Sequence, residues 1–274
     1  MPSIVAGAAG VRRTASAQPK ESPHRHDLQS CPMTALTPPS KRAPLQGVQA
    51  VLFDAYGTLF DVYSVAQLAE QLFPGQGQAL AVLWRDKQIE YTRLVSTSRQ
   101  GPQRASVYQP FWELTRAGLR YACKRLGLHL SPEREAQLMM QYRQLSAFAD
   151  SREVLQALQA RGLATGVLSN GDPAMLHAAV QSADLAGLLD HVISVDAIRS
   201  YKTDPAAYAL GEQATGLKAP QIAFVSSNGW DALAATWYGF QTLWVNRQGL
   251  PPEEIGPAPV RTATTLKAVL DMLY

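Results

Sequence analysis

Five short apolar runs, separated by helical stretches, constrain this chain more than any other feature. They occupy residues 48–53, 163–168, 191–195, 222–225 and 242–245. A run of this length without polar alternation suits a strand buried on both faces. Helical patterns at 151–160, 173–182, 205–214, 230–238 and 263–273 fall around them. Strands alternating with helices predict an α/β fold, a doubly wound parallel sheet covered on both faces.

One interruption breaks this rhythm. Between the first run and the second the pattern is helical only. Val65, Leu68, Ala69, Leu72 and Phe73 share a helical face that stops at Pro74-Gly75, and a second helix is expected over 77–97. Tyr108, Phe111, Trp112, Thr115, Leu119, Ala122 and Leu126 form the face of a third, ending at Gly127. Ser131-Pro132 opens a fourth, with serine as cap and proline in the first turn. The loop 98–106, with Gly101-Pro102, looks irregular. The expected organisation is a Rossmann-like core from residues 45–62 and 148–274, with a four-helix cap inserted at 63–147.

Charge separates the remaining segment. Residues 1–44 hold Arg12, Arg13, Lys20, Arg25, Lys41 and Arg42 against Glu21 and Asp27, a net +4. The whole chain carries +3, so the other 230 residues are near −1. A nearly neutral folded part removes the main support for a nucleic-acid partner. The first 44 residues, rich in Ala, Ser, Pro and Thr without apolar period, are expected to be a disordered tail. Met33 opens a shorter natural leader, so an early start assignment is the expected origin of residues 1–32. No apolar run approaches the roughly 20 residues that span a bilayer, and a soluble, cytoplasmic protein is expected. Cys31 and Cys123 are far apart, and none of the five histidines has metal-ligand spacing. No GxSxG, P-loop or GxGxxG occurs.

Ligands of doubly wound sheets bind beyond the carboxyl ends of the strands. The first strand runs into Asp54-Ala55-Tyr56-Gly57-Thr58, the second into Ser169-Asn170-Gly171-Asp172. Tyr201-Lys202 follows the third, and Ser226-Ser227-Asn228-Gly229-Trp230-Asp231 the fourth. Turn residues are common at strand ends. An Asp, a Ser-Asn pair, a Lys and a second Asp in this order are more specific than turns require.

The segments FDAYGTLFDV, LSNGD, SYKTDPAAY and FVSSNGWDALAATWYGFQTLWVNR resemble the four motifs of the haloacid dehalogenase superfamily. Among its branches they are most similar to the L-2-haloacid dehalogenases, as is LWRDKQIEYT in the second helix of the insertion. The resemblance covers residue 48 to the C-terminus. Its chemistry can be argued from the residues. A carboxylate at the tip of a buried strand is costly unless paired or used, and Asp54 attacking an electrophile would divide a hard displacement into two easier steps. Lys202 is the cation to hold it ionised. Phosphatases of the superfamily carry a second Asp two residues after the nucleophile, to protonate an alcohol. Tyr56 stands there in this chain, and a departing halide needs no proton. The fourth motif has one acid where magnesium-using relatives commonly present two. No metal and no other cofactor are therefore expected.

The resemblance implies a catalytic set of Asp54, Lys202, Asp231, Thr58, Ser226 and Asn228, with Asp231 activating water. It implies that Ser169 and nearby amides hold the substrate carboxylate, that Arg85, Asn170 and Trp230 line the departing halide, and that Tyr56 and Tyr208 complete the substrate site. The expected reaction converts an (S)-2-haloacid to an (R)-2-hydroxy acid through an aspartyl ester, with inversion. A small halogenated acid is the expected partner, without nucleic acid or membrane, and relatives imply a homodimer. A magnesium-dependent phosphatase and a non-catalytic carboxylate-binding protein stay as alternatives. Arg85 and Trp230 have ordinary readings too, a surface arginine and a packing tryptophan. Thr203 replaces the proline that relatives often place after the lysine, which is expected to loosen that turn.

Overall fold

The computed structural model describes residues 44–98 and 107–273. The expected tail, apart from Pro44, and most of the 98–106 loop lie outside the described residues. Six parallel strands form one sheet in the order β3-β2-β1-β4-β5-β6. They are β1 Ala50–Phe53, β2 Ala164–Ser169, β3 His191–Ser194, β4 Ile222–Ser226, β5 Gln241–Val245 and β6 Arg261–Ala263. The central runs are buried on both faces, as all four residues of β1 illustrate. The edge strand β3 is only partly covered, with Val192 exposed.

The chain moves outward from β1 through β2 to β3 and returns to β4 on the other side of β1. This reversal opens a crevice at the carboxyl ends of β1 and β4. Phe53 lies in register with both Val167 and Val225, so Asp54, Ser169 and Ser226 emerge at nearly one level.

Between β1 and β2 the described chain forms four helices: α1 Val65–Leu72, α2 Gly77–Ser98, α3 Phe111–Arg125 and α4 Pro132–Gln141. The Ser131 hydroxyl caps α4 by accepting from the Arg134 amide. The two connections to this segment run side by side. The Asp61 amide donates to the Ser146 carbonyl at 2.9 Å, and the Phe148 amide to that of Leu59 at 2.9 Å. The sheet is flanked by α5 Ser151–Ala160, α6 Pro173–Ser182, α7 Pro205–Thr215, α8 Gly229–Tyr238 and α9 Ala268–Leu273. Asp172 and Asp204 cap α6 and α7, each followed by proline in the first turn.

Two sequence expectations are corrected. The pattern places the last helix over 263–273, but residues 261–263 pair with β5 and the helix begins at Ala268. A three-residue, partly exposed edge strand carries no apolar run by which to find it. Periodicity puts Tyr108 on a helical face, yet α3 starts only after Pro110, because proline disfavours helical backbone in the residue before it.

Candidate active site

Asp54 follows β1 directly, and its amide extends the ladder to the Val225 carbonyl at 2.9 Å. The residue is 5% exposed. Three donors converge on the carboxylate. Lys202 Nζ reaches Oδ1 at 3.1 Å, while Asn228 Nδ2 and Thr58 Oγ1 reach Oδ2 at 2.7 and 3.2 Å. Thr58 is itself fixed by accepting from the Ser227 amide at 2.8 Å. The turn that brings Thr58 back contains Gly57 at φ +94°, a conformation that favours glycine.

Lys202 is fully buried and also bonds Asp231 Oδ2 at 3.0 Å. One ammonium therefore bridges two carboxylates. Burial pushes the Asp231 carboxyl up and the charge of Asp54 adds to this, while the ammonium of Lys202 and the hydroxyl of Tyr208 oppose it. Tyr208 donates to Asp231 Oδ1 at 2.8 Å. Its own hydroxyl is held well above the usual range by burial and by Asp231, so it remains a donor. The turn carrying Lys202 is tied down although Thr203 follows it. The Lys202 amide donates to Asn170 Oδ1 at 2.9 Å. On the preceding residue, Ser96 Oγ accepts from the Tyr201 amide at 3.0 Å and donates to the Tyr201 carbonyl at 3.1 Å.

Arg85 descends from α2 to the same place and is 7% exposed, which excludes the surface reading. Its guanidinium donates to the Tyr56 carbonyl at 3.1 Å, to Asn228 Oδ1 at 3.2 Å and to Gln88 Oε1 at 2.6 Å. Gln88 is held in turn by Thr115 at 2.6 Å. Among the described residues Arg85 has no carboxylate within ion-pair distance. A buried cation without a counter-anion beside the Asp54 carboxylate is a place for an anion to lodge.

A small cavity of about 10 Å³ lies between these groups. Asp54, Tyr56, Arg85, Ser169, Asn170, Asn228 and Trp230 line it. Ser169 Oγ accepts from the Gly171 amide at 3.1 Å. A Cβ on Gly171 would lie 2.7 Å from the Tyr56 ring, so glycine is what lets this tyrosine pack over the strand end. Lys202, Thr58 and Asp231 do not line the cavity and stand behind the Asp54 carboxylate. Two expected residues sit elsewhere. Tyr208 meets Asp231 from behind and lines a different cavity. Ser226 Oγ stays with the backbone of Asn228, accepting from its amide at 3.1 Å. Sequence reasoning missed Gln88, Ser96, Ile89, Thr92 and Phe111. Gln88 is one helical turn beyond Arg85 and carried a usable signal; the other four had none that separated them from ordinary helix residues.

The donor set is poor for a divalent cation. Asp54 and Asp231 both bind the Lys202 ammonium. Among the described residues no group of three or more His, Cys, Asp or Glu side chains is placed to hold a metal. What the arrangement suits is attack by a held carboxylate on an electrophile whose leaving group is an anion.

Comparisons with known proteins agree in kind. The model of haloacid dehalogenase-like hydrolases matches residues 48–239. An (S)-2-haloacid dehalogenase of Pseudomonas sp. (strain YL) is 41% identical over 82% of this chain and 94% of its own. Haloacetate dehalogenase H-2 of Moraxella sp. (strain B) is 38% identical over 84% and 99%. Among solved structures, an L-2-haloacid dehalogenase superposes with a TM-score of 0.80 at 56% identity, covering 83% of this chain and 99% of the other. The enzyme from Xanthobacter autotrophicus with chloropropionic acid covalently bound gives 0.72 at 35%, covering 80% and 95%.

Proposed function

The chain belongs to the haloacid dehalogenase-like hydrolases, and from that premise we propose that it is a hydrolytic (S)-2-haloacid dehalogenase releasing (R)-2-hydroxy acid and halide. The observation that carries this reading is the buried Tyr56 two residues after Asp54, in place of an acid that could protonate an alcohol. The unpaired Arg85 beside it supports an anionic leaving group.

In the first step an Asp54 oxygen attacks C2 from the face opposite the halogen. The C2–O bond forms as the carbon–halogen bond breaks, halide leaves with the electron pair, and C2 inverts. Ser169 and nearby amides hold the substrate carboxylate, while Arg85, Asn170 and Trp230 receive the halide. Esterification removes the charge of Asp54, so Lys202 then faces Asp231 alone. In the second step Asp231 takes a proton from water, and the resulting hydroxide adds to Cγ of the ester. Lys202, Thr58 and Asn228 are placed to donate to the oxyanion. On collapse the proton held by Asp231 passes to the leaving alkoxide oxygen, so that the hydroxy acid departs with an oxygen that came from Asp54. Loss of the remaining hydroxyl proton to water returns the Asp54 carboxylate. A base whose pKa is raised by burial is better matched to this work than an ordinary carboxylate.

The proposal includes residues 63–147 as a cap over a core of 45–62 and 148–274. Supporting this are the strand-free helical segment and the paired connections at its base. It also includes a cytoplasmic homodimer. Among the described residues no helix is long and apolar enough to cross a membrane. Light scattering at a monomer mass would remove the dimer.

Halide release from (S)- and (R)-2-chloropropionate, with and without a chelator, tests the whole reading. Release from the (S) enantiomer alone, unaffected by chelation, is expected. Equal rates on both enantiomers, or loss of activity with chelator, would overturn it, and phosphate release from a phosphomonoester would favour the phosphatase.

A further inference from the structure

The cavity at Asp54, about 10 Å³, has room for roughly one water. A 2-halocarboxylate is larger than this space, so part of the lining must shift to admit one. Trp230 forms part of that wall, and behind it lies a second cavity of about 630 Å³. On α2 the partition continues within one turn. Ile89 and Thr92 face the small cavity, whereas Arg93 faces the large one. The Arg93 guanidinium stacks 5.3 Å from the Trp230 ring, a cation–π contact on an exposed residue. Leu233, Trp237 and Ile255 supply apolar wall.

A third cavity, about 460 Å³, also touches Trp230 and offers a competing route. Its charges do not suit an anion. Asp61 and Asp86 face it, and its arginine, Arg247, is bonded to Asp150 at 2.9 and 3.3 Å. In the 630 Å³ cavity Arg93 has no ion-pair partner among the described residues, and Glu253 is the one carboxylate in its lining.

We propose that the 630 Å³ cavity is the vestibule of the site, a transient binding place for a short 2-halocarboxylate in which Arg93 receives the carboxylate before Trp230 yields. This rests on the dehalogenase reading and adds a residue that the reaction itself does not use. Arg93 selects for an anion with a small apolar body, and Glu253 weakens that selection.

Steady-state halide release from (S)-2-chloropropionate by the full chain tests it. Arg93→Gln should lower kcat/KM about fivefold through KM, the scale of one exposed charge pair, with kcat changing less than about twofold. Arg93→Lys should restore most of the loss. Glu253→Gln should raise kcat/KM about twofold by the same argument, while Asp86→Asn at the other mouth leaves it unchanged. An unchanged kcat/KM in Arg93→Gln, failure of lysine to rescue, or a gain in Asp86→Asn instead of Glu253→Gln would overturn the vestibule. Absence of halide release by the parent protein at any substrate concentration would instead sink the dehalogenase reading.

Discussion

Replacing Lys202 with methionine, a side chain of similar length, probes the centre of the site. The ammonium is fully buried and bonds Asp54 at 3.1 Å and Asp231 at 3.0 Å. Its removal leaves two buried carboxylates with only neutral donors: Thr58 and Asn228 on one, Tyr208 on the other. Removing one partner of a buried ion pair costs about 3–5 kcal/mol. The variant should lose an amount of that order at pH 7.5, measured by urea unfolding, together with halide release. The pH dependence distinguishes this from a simple packing defect. Burial and mutual repulsion already push Asp231 up, and of the two groups that oppose them, Tyr208 and the lysine, the lysine is the stronger. Without it one carboxyl of the pair stays protonated in the folded state at a pH where the unfolded chain has released that proton. Folded protein then binds more protons than unfolded, so stability falls as pH rises from the ordinary carboxylate range through the raised folded value. The limiting slope for one proton is about 1.4 kcal/mol per pH unit. A variant within about 1 kcal/mol of the parent at pH 7.5, or equally destabilised at pH 5.5 and 8, would refute the reasoning.

Further outcomes follow from the same geometry. In single-turnover reaction in ¹⁸O-water the product should remain unlabelled and the label appear in Asp54; labelled first-turnover product would mean direct attack by water. Tyr208→Phe removes a donor that favours charged Asp231, so the acid limb of the kcat profile should move to higher pH; an unmoved limb would exclude Asp231 as the base. Ser96→Ala frees the Tyr201 backbone beside Lys202 and should lower kcat about tenfold at nearly constant KM, since misplacement of a catalytic group costs rate. Ser96→Thr should recover it, and an equal loss in both variants would reduce Ser96 to a packing role.

Much of the core was legible because its signals are local. Apolar run length marked β1, β2, β4 and β5, and Ser131-Pro132 marked the start of α4. The edge strand β6 was not legible, since three partly exposed residues become a strand only through pairing with β5. Within the site, Asp54, Lys202 and Asp231 could be named from strand ends. Ser96 could not be separated from other polar residues of a long helix, because its importance arises from what the fold brings opposite it.

By itself, then, the sequence determined the layered α/β architecture and the side chains delivered to one edge of the sheet. Periodicity, turn chemistry and motif order act over a few residues and survive without a partner. Tertiary structure alone decided that Lys202, 148 residues from Asp54, would bridge it to Asp231. It also decided that Arg85 would be buried without a counter-anion among the described residues, that Tyr208 would stand behind Asp231, and that Trp230 would divide a tiny cavity from a large one. These are consequences of strand order and of helix α2 crossing the sheet edge. Distances between groups far apart in the chain depend on how every intervening element packs, and no local pattern encodes them.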